Sequence, residues 1–146
     1  MNAESKLLPL IVADIYELAG LLRDNGERIA QAVGQTQARW QVMSAASADP
    51  LTVPQIARRL GVTRQNVQRI ADLLVDEKSA AYEDNPDHRS SPHLVLTKPG
   101  RTALEQLSKA AEAEHAKIAR RLPAADIKSL HLGLRRLLAA AKGSAK

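Results

Sequence analysis

The sequence predicts a mainly α fold, in which two closely spaced short helices are followed by a small hairpin. Two observations support this prediction. Apolar residues recur at helical spacing along most of the 146 residues. The stretch from Leu51 to Thr97 contains two such patterns joined by a glycine, then two short apolar runs separated by the polar loop Asn85 to Arg89. Helix, turn, helix and hairpin in this order are typical of a winged helix-turn-helix.

The chain outside this central stretch is predicted to be helical. A first helix is marked by Leu8 to Leu22 and continues toward Gly34, and a second contains Ala38 to Ala46. A long helix begins at Thr97 and ends before Pro123, and a last helix follows. Their apolar faces are too extensive to remain in water, so we expect the terminal helices to pack within a chain and across a two-fold dimer. A monomeric helical bundle is the alternative.

The two central helices have clear start and stop signals. Thr52 and Gln55 have capping-box spacing, and Pro54 falls in the first turn, where its missing N–H costs nothing. Gly61 can adopt the left-handed conformation that stops the helix, and Thr63 then caps the next one. The expected buried stripes are Val53, Ile56, Ala57 and Leu60 on the first helix, and Val67, Ile70, Ala71 and Leu74 on the second.

The outward face of the second helix changes sign along its length. Its first two turns carry arginine, glutamine and asparagine, which can hydrogen-bond base edges in the major groove, whereas Asp72 and Asp76 follow further along. The sequence from Asp49 to Asp72 contains four arginines and no carboxylate between those two aspartates. We therefore expect DNA contact near the start of this helix, although a solvated surface is the plainer interpretation. The residues predicted to contact DNA in this stretch are Thr52, Arg58, Arg59, Thr63, Arg64, Gln65, Asn66, Gln68 and Arg69.

Composition narrows the functional class. The net charge of +5 is consistent with a nucleic-acid partner, and the scarcity of aromatic residues argues against stacking of single-stranded bases. The absence of cysteine excludes thiolate chemistry in this sequence. No glycine-rich phosphate loop, no nucleophile elbow and no pair of carboxylates at helical spacing in an apolar setting is present. The four histidines share no metal-ligand motif. We interpret His88 and His93, which lie near each other in the wing, as surface residues, and a metal-sensing role is the alternative. We expect a cytoplasmic protein that is not an enzyme, binds no cofactor or metal, and has no signal peptide or membrane span.

The residues resemble the MarR family of bacterial transcriptional regulators along nearly the whole chain. The matching segments are Arg39-Trp40-Gln41-Val42, the stretch Leu51 to Gln65, Asn85-Pro86-Asp87-His88-Arg89, and Leu94-Val95-Leu96-Thr97-Lys98-Pro99-Gly100. The resemblance implies a homodimeric winged-helix repressor on a palindromic operator. It also implies that Arg89 enters the minor groove while Asp87 holds it in place; an ordinary polar hairpin tip is the alternative.

One segment departs from the family pattern. Where members usually have Gly-Leu-Val before the wing, this chain has Glu77-Lys78-Ser79-Ala80-Ala81-Tyr82. Without the glycine, we expect either a mobile wing or a recognition helix that ends less sharply. Pro92 interrupts the start of the return strand.

Family members often sense small aromatic or phenolic anions. The candidates for such contact here are Tyr16, Arg39 and Trp40, although Trp40 in the core and Arg39 in an ion pair are the plainer interpretations. The predicted function is a sequence-specific regulator of double-stranded DNA, a repressor released by an effector. The alternative is a winged-helix module that binds a protein partner. We expect a single domain, 1–146, with dimerisation helices in 1–35 and 98–142 and the DNA-binding module in 36–97.

Overall fold

The computed structural model describes residues 2–144 and confirms the mainly helical fold with a small antiparallel sheet. In chain order, the described elements are α1 (Ala3–Gln31), α2 (Gln37–Ala48), β1 (Leu51–Thr52), α3 (Val53–Leu60), α4 (Arg64–Asp76), β2 (Ala80–Glu83), β3 (His93–Leu96), α5 (Lys98–Arg120) and α6 (Ala124–Ser144). One compact unit runs to Ala110 and a second begins at Ala111. The predicted ranges 1–35 and 1–146 include Met1, Ala145 and Lys146, which lie outside the described residues. The last helix extends two residues past the predicted end at 142. No helix in residues 2–144 is both long enough and apolar enough to cross a membrane.

The helix-turn-helix forms from the local signals that the sequence contains. The backbone N–H of Thr52 donates to Gln55 Oε1 at 2.8 Å, and the N–H of Gln55 donates to Thr52 Oγ1 at 3.3 Å. This reciprocal pair is the predicted capping box, and it starts α3. Gly61 has a φ of 67°, in the left-handed region, and ends the helix. The N–H of Asn66 donates to Thr63 Oγ1 at 3.1 Å, so Thr63 caps α4 as predicted.

The core of the first unit lies between α2, α3, α4 and the sheet. The predicted stripe of α4 is buried throughout, and on α3 only Leu60 is half-buried. Leu107 of α5 is fully buried with them. The largest fully buried side chains in the described residues are Met43, Ile56, Leu74, Leu94, Leu107, Val42 and Val67. Burying one face of α4 in this way leaves its opposite face in water.

The sheet has three strands in the order β1, β3, β2, and both pairings are antiparallel. The hairpin of β2 and β3 was predicted, and Ala80 pairs with Leu96. The third strand, β1, was not predicted, because Leu51 and Thr52 are too few to show an alternating pattern. Leu51 pairs with Leu94, which ties the start of α3 directly to the wing.

The end of α4 corrects one expectation. The helix was expected to end less sharply without a glycine, but it stops at Asp76 because Lys78 adopts a left-handed conformation with a φ of 64°. The N–H of Ser79 then donates to the carbonyl of Leu74 at 2.8 Å, which closes the turn. A lysine in this conformation is strained by about 1–2 kcal/mol relative to a right-handed residue.

Residues after this turn fix the start of α5. The N–H of Thr97 donates to the carbonyl of Ser79 at 3.1 Å, and Thr97 Oγ1 donates to the carbonyl of Lys78 at 2.7 Å. The N–H of Gly100 donates to Thr97 Oγ1 at 3.4 Å, so Thr97 caps α5 as predicted. The backbone of Gly100 packs directly against Ser79, where a Cβ would lie 1.9 Å from the carbonyl oxygen. This contact requires glycine.

Candidate nucleic-acid interface

The exposed N-terminal end of α4 presents the predicted base-reading residues to solvent. Gln65 and Arg69 are exposed on the side opposite Val67 and Ile70, which are buried, and Arg64 is exposed near the edge of the buried stripe. Because Thr63 caps one backbone N–H, other N–H groups of the first turn remain available to an anion. This end of the helix can therefore approach both base edges and a phosphate.

Arg69 is oriented by a hydrogen bond on the same helix. Its Nη2 donates to Asn66 Oδ1 at 3.1 Å. A guanidinium has five donors, so this bond leaves most of them available. Asn66 therefore orients the Arg69 side chain, and its Oδ1 has one fewer lone pair available to a base.

The later part of the same face contains a hydrogen-bonded cluster of Gln68, Asp72 and Tyr82. Tyr82 on β2 donates its hydroxyl to Asp72 Oδ1 at 2.5 Å. Gln68 Nε2 donates to Asp72 Oδ1 at 2.9 Å and to the Tyr82 hydroxyl at 2.9 Å. Partial burial and the neighbouring Asp72 carboxylate raise the pKa of Tyr82 above its ordinary value, so this hydroxyl keeps its proton. The sequence predicted Gln68 as a DNA contact and Asp72 as the position where contact ends, but gave no sign of Tyr82, which lies on another element.

The arginines of α3 and α4 surround this end of the module. Arg58 and Arg64 are exposed, and both line a groove that also includes His88 and His93 of the wing. Arg59 Nη2 lies 3.5 Å from Asp49 Oδ2, with both side chains about half exposed. An exposed pair of this kind contributes less than about 1 kcal/mol, so Arg59 can exchange Asp49 for a phosphate at little cost.

Thr52 is the predicted contact residue that the structure places differently from the others. It is 6% exposed, and its side chain caps α3. Thr52 thus stabilises the start of α3 from a buried position, whereas Arg58 within that helix faces solvent. Any contribution of Thr52 to binding would therefore act through the placement of α3.

The wing tip is built around Asn85, which is 6% exposed. Asn85 Nδ2 donates to the carbonyl of Ser91 at 3.1 Å, and its Oδ1 accepts from the N–H of Asp87 at 3.0 Å. These bonds cross the loop and hold its shape, which the sequence signalled only as a polar Asn-Pro-Asp turn. Asp87 and Arg89 are exposed at the tip. Within the described part of the chain, neither side chain forms an ion pair or hydrogen bond, so the two are not joined to each other here.

A groove separates α4 from the wing. It is lined on one side by residues of α4 and on the other by Tyr82 and the segment Ser90 to Pro92. The α4 residues on its wall are Arg64, Gln65, Gln68, Arg69 and Asp72. Arg64 also lines the groove beside α3, so it lies between the two.

The three predicted effector contacts have different surroundings. Tyr16 is 76% exposed on α1, and Trp40 is half-buried against the core. Arg39 donates from both terminal nitrogens to the Glu77 carboxylate and from Nε to Gln35 Oε1 at 3.0 Å. The hydrogen bonds from Arg39 and its positive charge lower the pKa of Glu77 below its ordinary value. Arg39 thus occupies the ion pair that the sequence analysis gave as its plainer interpretation.

A third groove lies beside α1, α2 and the start of α4, and sequence analysis did not identify it. Most of its lining is apolar, including Leu22, Val42 and Val67, and Arg23 supplies a positive charge. Asn66 of α4 contributes to the same lining. The residues come from four elements, so their proximity has no signature in the sequence.

Comparison with known proteins supports the family and the fold. A model of the MarR family matches residues 34–89. An uncharacterized protein of Mycobacterium tuberculosis is 49% identical over 132 residues, which cover 90% of this chain and 92% of the relative.

Solved structures with this fold cover almost the entire chain. The transcriptional regulator BldR from Sulfolobus solfataricus aligns with a TM-score of 0.80 at 16% identity, covering 96% of this chain and 99% of that one. A MarR family protein of Mycobacterium tuberculosis, solved with salicylic acid, aligns with a TM-score of 0.68 at 22% identity and covers 84% and 92%. The central helix-turn-helix, its wing and the full-length match lead to one conclusion: the chain belongs to the MarR family and has the fold of its winged-helix transcription regulators.

Proposed function

We propose that the protein is a sequence-specific regulator that binds double-stranded DNA as a homodimer and acts as a cytoplasmic repressor. The observation that supports this most directly is the exposed start of α4, with Gln65 and Arg69 beside the wing groove. Arg58 and Arg59 flank it, and no carboxylate occurs between Asp49 and Asp72. The start of α4 fits the major groove, and Arg89 at the wing tip fits the adjacent minor groove.

Selection of bound sequences from a random duplex pool tests this proposal. A dimer should select a palindrome whose half-sites lie about one helical turn apart. Gln65→Ala should cost roughly 1–3 kcal/mol on the selected operator and little on scrambled DNA. Arg58→Ala should weaken binding to both duplexes and reduce the salt slope by about one. Recovery of no sequence preference would refute the proposal.

The alternative is a module that binds a protein partner with the same surface. Salt titration separates the two, because counterion release makes DNA affinity fall steeply with salt. Duplex binding that is weak and nearly independent of salt would favour the protein partner.

The dimer is supported by apolar side chains that a single chain leaves in water. On α1, Leu10 and Leu21 are 61% and 60% exposed, and on α6, Leu130 is 52% exposed. Monomeric soluble proteins rarely leave apolar patches of this extent uncovered. Sedimentation should give twice the monomer mass, and Leu134→Glu should give a monomer that no longer binds the operator. Ser129→Glu places the same charge off the apolar stripe of α6 and should leave the dimer intact.

The third groove is the site we propose for an effector. Its apolar walls and Arg23 suit an aromatic carboxylate, and salicylic acid is the ligand in one of the similar structures. Because Asn66 lies in the same lining, an occupant there can alter the start of α4. Salicylate should bind the protein in a calorimetric titration and release the operator. Arg23→Ala should weaken both effects, whereas Arg28→Ala on the same helix should not; equal responses would exclude this groove.

A further inference from the structure

The cluster of Gln68, Asp72 and Tyr82 bears on how α4 reads a base, which rests on the proposed DNA-binding function. It joins the reading helix to β2, the strand that leads into the wing. Gln68 is exposed and lies four residues from Arg64 and three from Gln65, on the wall of the groove between α4 and the wing. Any duplex that occupies this groove therefore contacts Gln68 while Tyr82 and Asp72 fix the orientation of its side-chain amide.

The orientation of the Gln68 amide is determined by its neighbours. The Asp72 carboxylate only accepts hydrogen bonds, so the amide nitrogen of Gln68 must face it. The Tyr82 hydroxyl gives its own proton to the same carboxylate oxygen and therefore accepts from Gln68. Both acceptors therefore lie on the Nε2 side of the Gln68 amide, which turns its carbonyl oxygen to the other side. Its carbonyl oxygen has no hydrogen-bond donor among residues 2–144 and is available to a base.

This arrangement changes the base preference expected of a glutamine. An unrestrained glutamine reads adenine with two bonds, since it accepts from N6 and donates to N7. With Nε2 held by Asp72 and Tyr82, Gln68 presents its carbonyl oxygen to a base as an acceptor and keeps its amide nitrogen turned away. It then favours an amino group, either N6 of adenine or N4 of cytosine, and cannot recognise N7 of a purine.

We propose that Tyr82 is a specificity-determining positioning residue that restricts Gln68 to accepting a hydrogen bond from adenine or cytosine. Tyr82 itself contacts no base in this proposal and acts through Gln68 and Asp72. The same bonds also hold the Asp72 carboxylate against the protein, which reduces its repulsion of nearby phosphates.

Selection from a random duplex pool, run in parallel for wild type and variants, tests this inference. Gln68→Ala should remove the preference at one position of each half-site and thereby identify the contacted base. At that position, wild type should accept adenine and cytosine comparably on the contacted strand. Tyr82→Phe keeps the ring but removes one of the two acceptors that hold Nε2, which allows the amide nitrogen to reach N7 of a purine, so adenine should become favoured over cytosine by about tenfold. Ser47→Ala removes an exposed hydroxyl from α2, outside this groove, and should leave the preference unchanged.

The possible outcomes distinguish failure of this inference from failure of the proposed DNA-binding function. Failure of wild type to select any sequence refutes DNA recognition itself. If wild type selects an operator but Gln68→Ala leaves every position unchanged, Gln68 reads no base and the inference is wrong. It is equally wrong if Tyr82→Phe retains the wild-type base frequencies, or weakens all duplexes alike, since a purely structural hydroxyl would give those results. Thermal unfolding of each variant confirms that the compared proteins are folded.

Discussion

Replacing Gly100 with alanine should destabilise the protein, although alanine is the better helix former. An ideal Cβ at this position would lie 1.9 Å from the carbonyl oxygen of Ser79 and 2.9 Å from its carbonyl carbon. Both atoms belong to the backbone, so no side-chain rotation can relieve the clash. The start of α5 and the turn after α4 would have to separate by roughly 1 Å.

The magnitude follows from the contacts that such a shift would disturb. Overpacking of this kind costs about 1–3 kcal/mol. The same displacement weakens the bonds from Thr97 to Ser79 and Lys78, each worth about 1 kcal/mol. Alanine regains at most about 1 kcal/mol of helix propensity. We expect a net loss of about 2 kcal/mol in the free energy of unfolding, or a fall in Tm of about 4–8 °C.

Urea denaturation followed by circular dichroism measures this change. Gly133→Ala is the matched control, because a Cβ there meets no atom within 4 Å and Gly133 also lies in a helix. The control should unfold at the same urea concentration as wild type or slightly higher. If Gly100→Ala proves as stable as wild type, the close approach of α5 to Ser79 does not constrain the fold and the reasoning fails.

Four further substitutions test the end of α4 and the wing. Lys78→Gly should raise the free energy of unfolding by about 1 kcal/mol, because glycine adopts the left-handed turn without strain; a loss of stability would contradict this. Glu77→Gln should lower stability by less than about 1 kcal/mol at pH 7, since the pair with Arg39 is partly exposed. The pKa of Glu77 is lowered in the folded state, so the stability difference should be fully present above the unfolded pKa and should be lost as the pH falls through the lower, folded pKa; a difference that persists in acid would exclude the ion pair as its cause. Arg89→Ala should weaken operator binding with Tm unchanged, and Asp87→Ala should do so more mildly; equal operator affinity in wild type and Arg89→Ala would mean that the wing makes no contribution.

The sequence by itself determined the elements whose signals lie within a few residues. The capping box of Thr52 and Gln55, the stop at Gly61 and the cap at Thr63 each involve partners within one helical turn, so their spacing identifies them. The buried stripe of α4 has the same local origin, because helical periodicity alone decides which side chains share a face. The exposed face of α4 could be predicted from that stripe, because it lies on the opposite side of the helix.

The tertiary structure decided which distant groups meet. Tyr82 lies 14 residues from Gln68, and Glu77 lies 38 residues from Arg39, and no spacing rule connects either pair. The left-handed turn at Lys78 likewise depends on Thr97, which bonds to the carbonyls of Lys78 and Ser79 from the far side of the wing. Local backbone chemistry thus determines where each helix begins and which face it buries. The packing of separate elements against one another determines the orientation and the hydrogen-bond partners of polar surface side chains such as Gln68 and Arg39, because those partners are brought close only by folding.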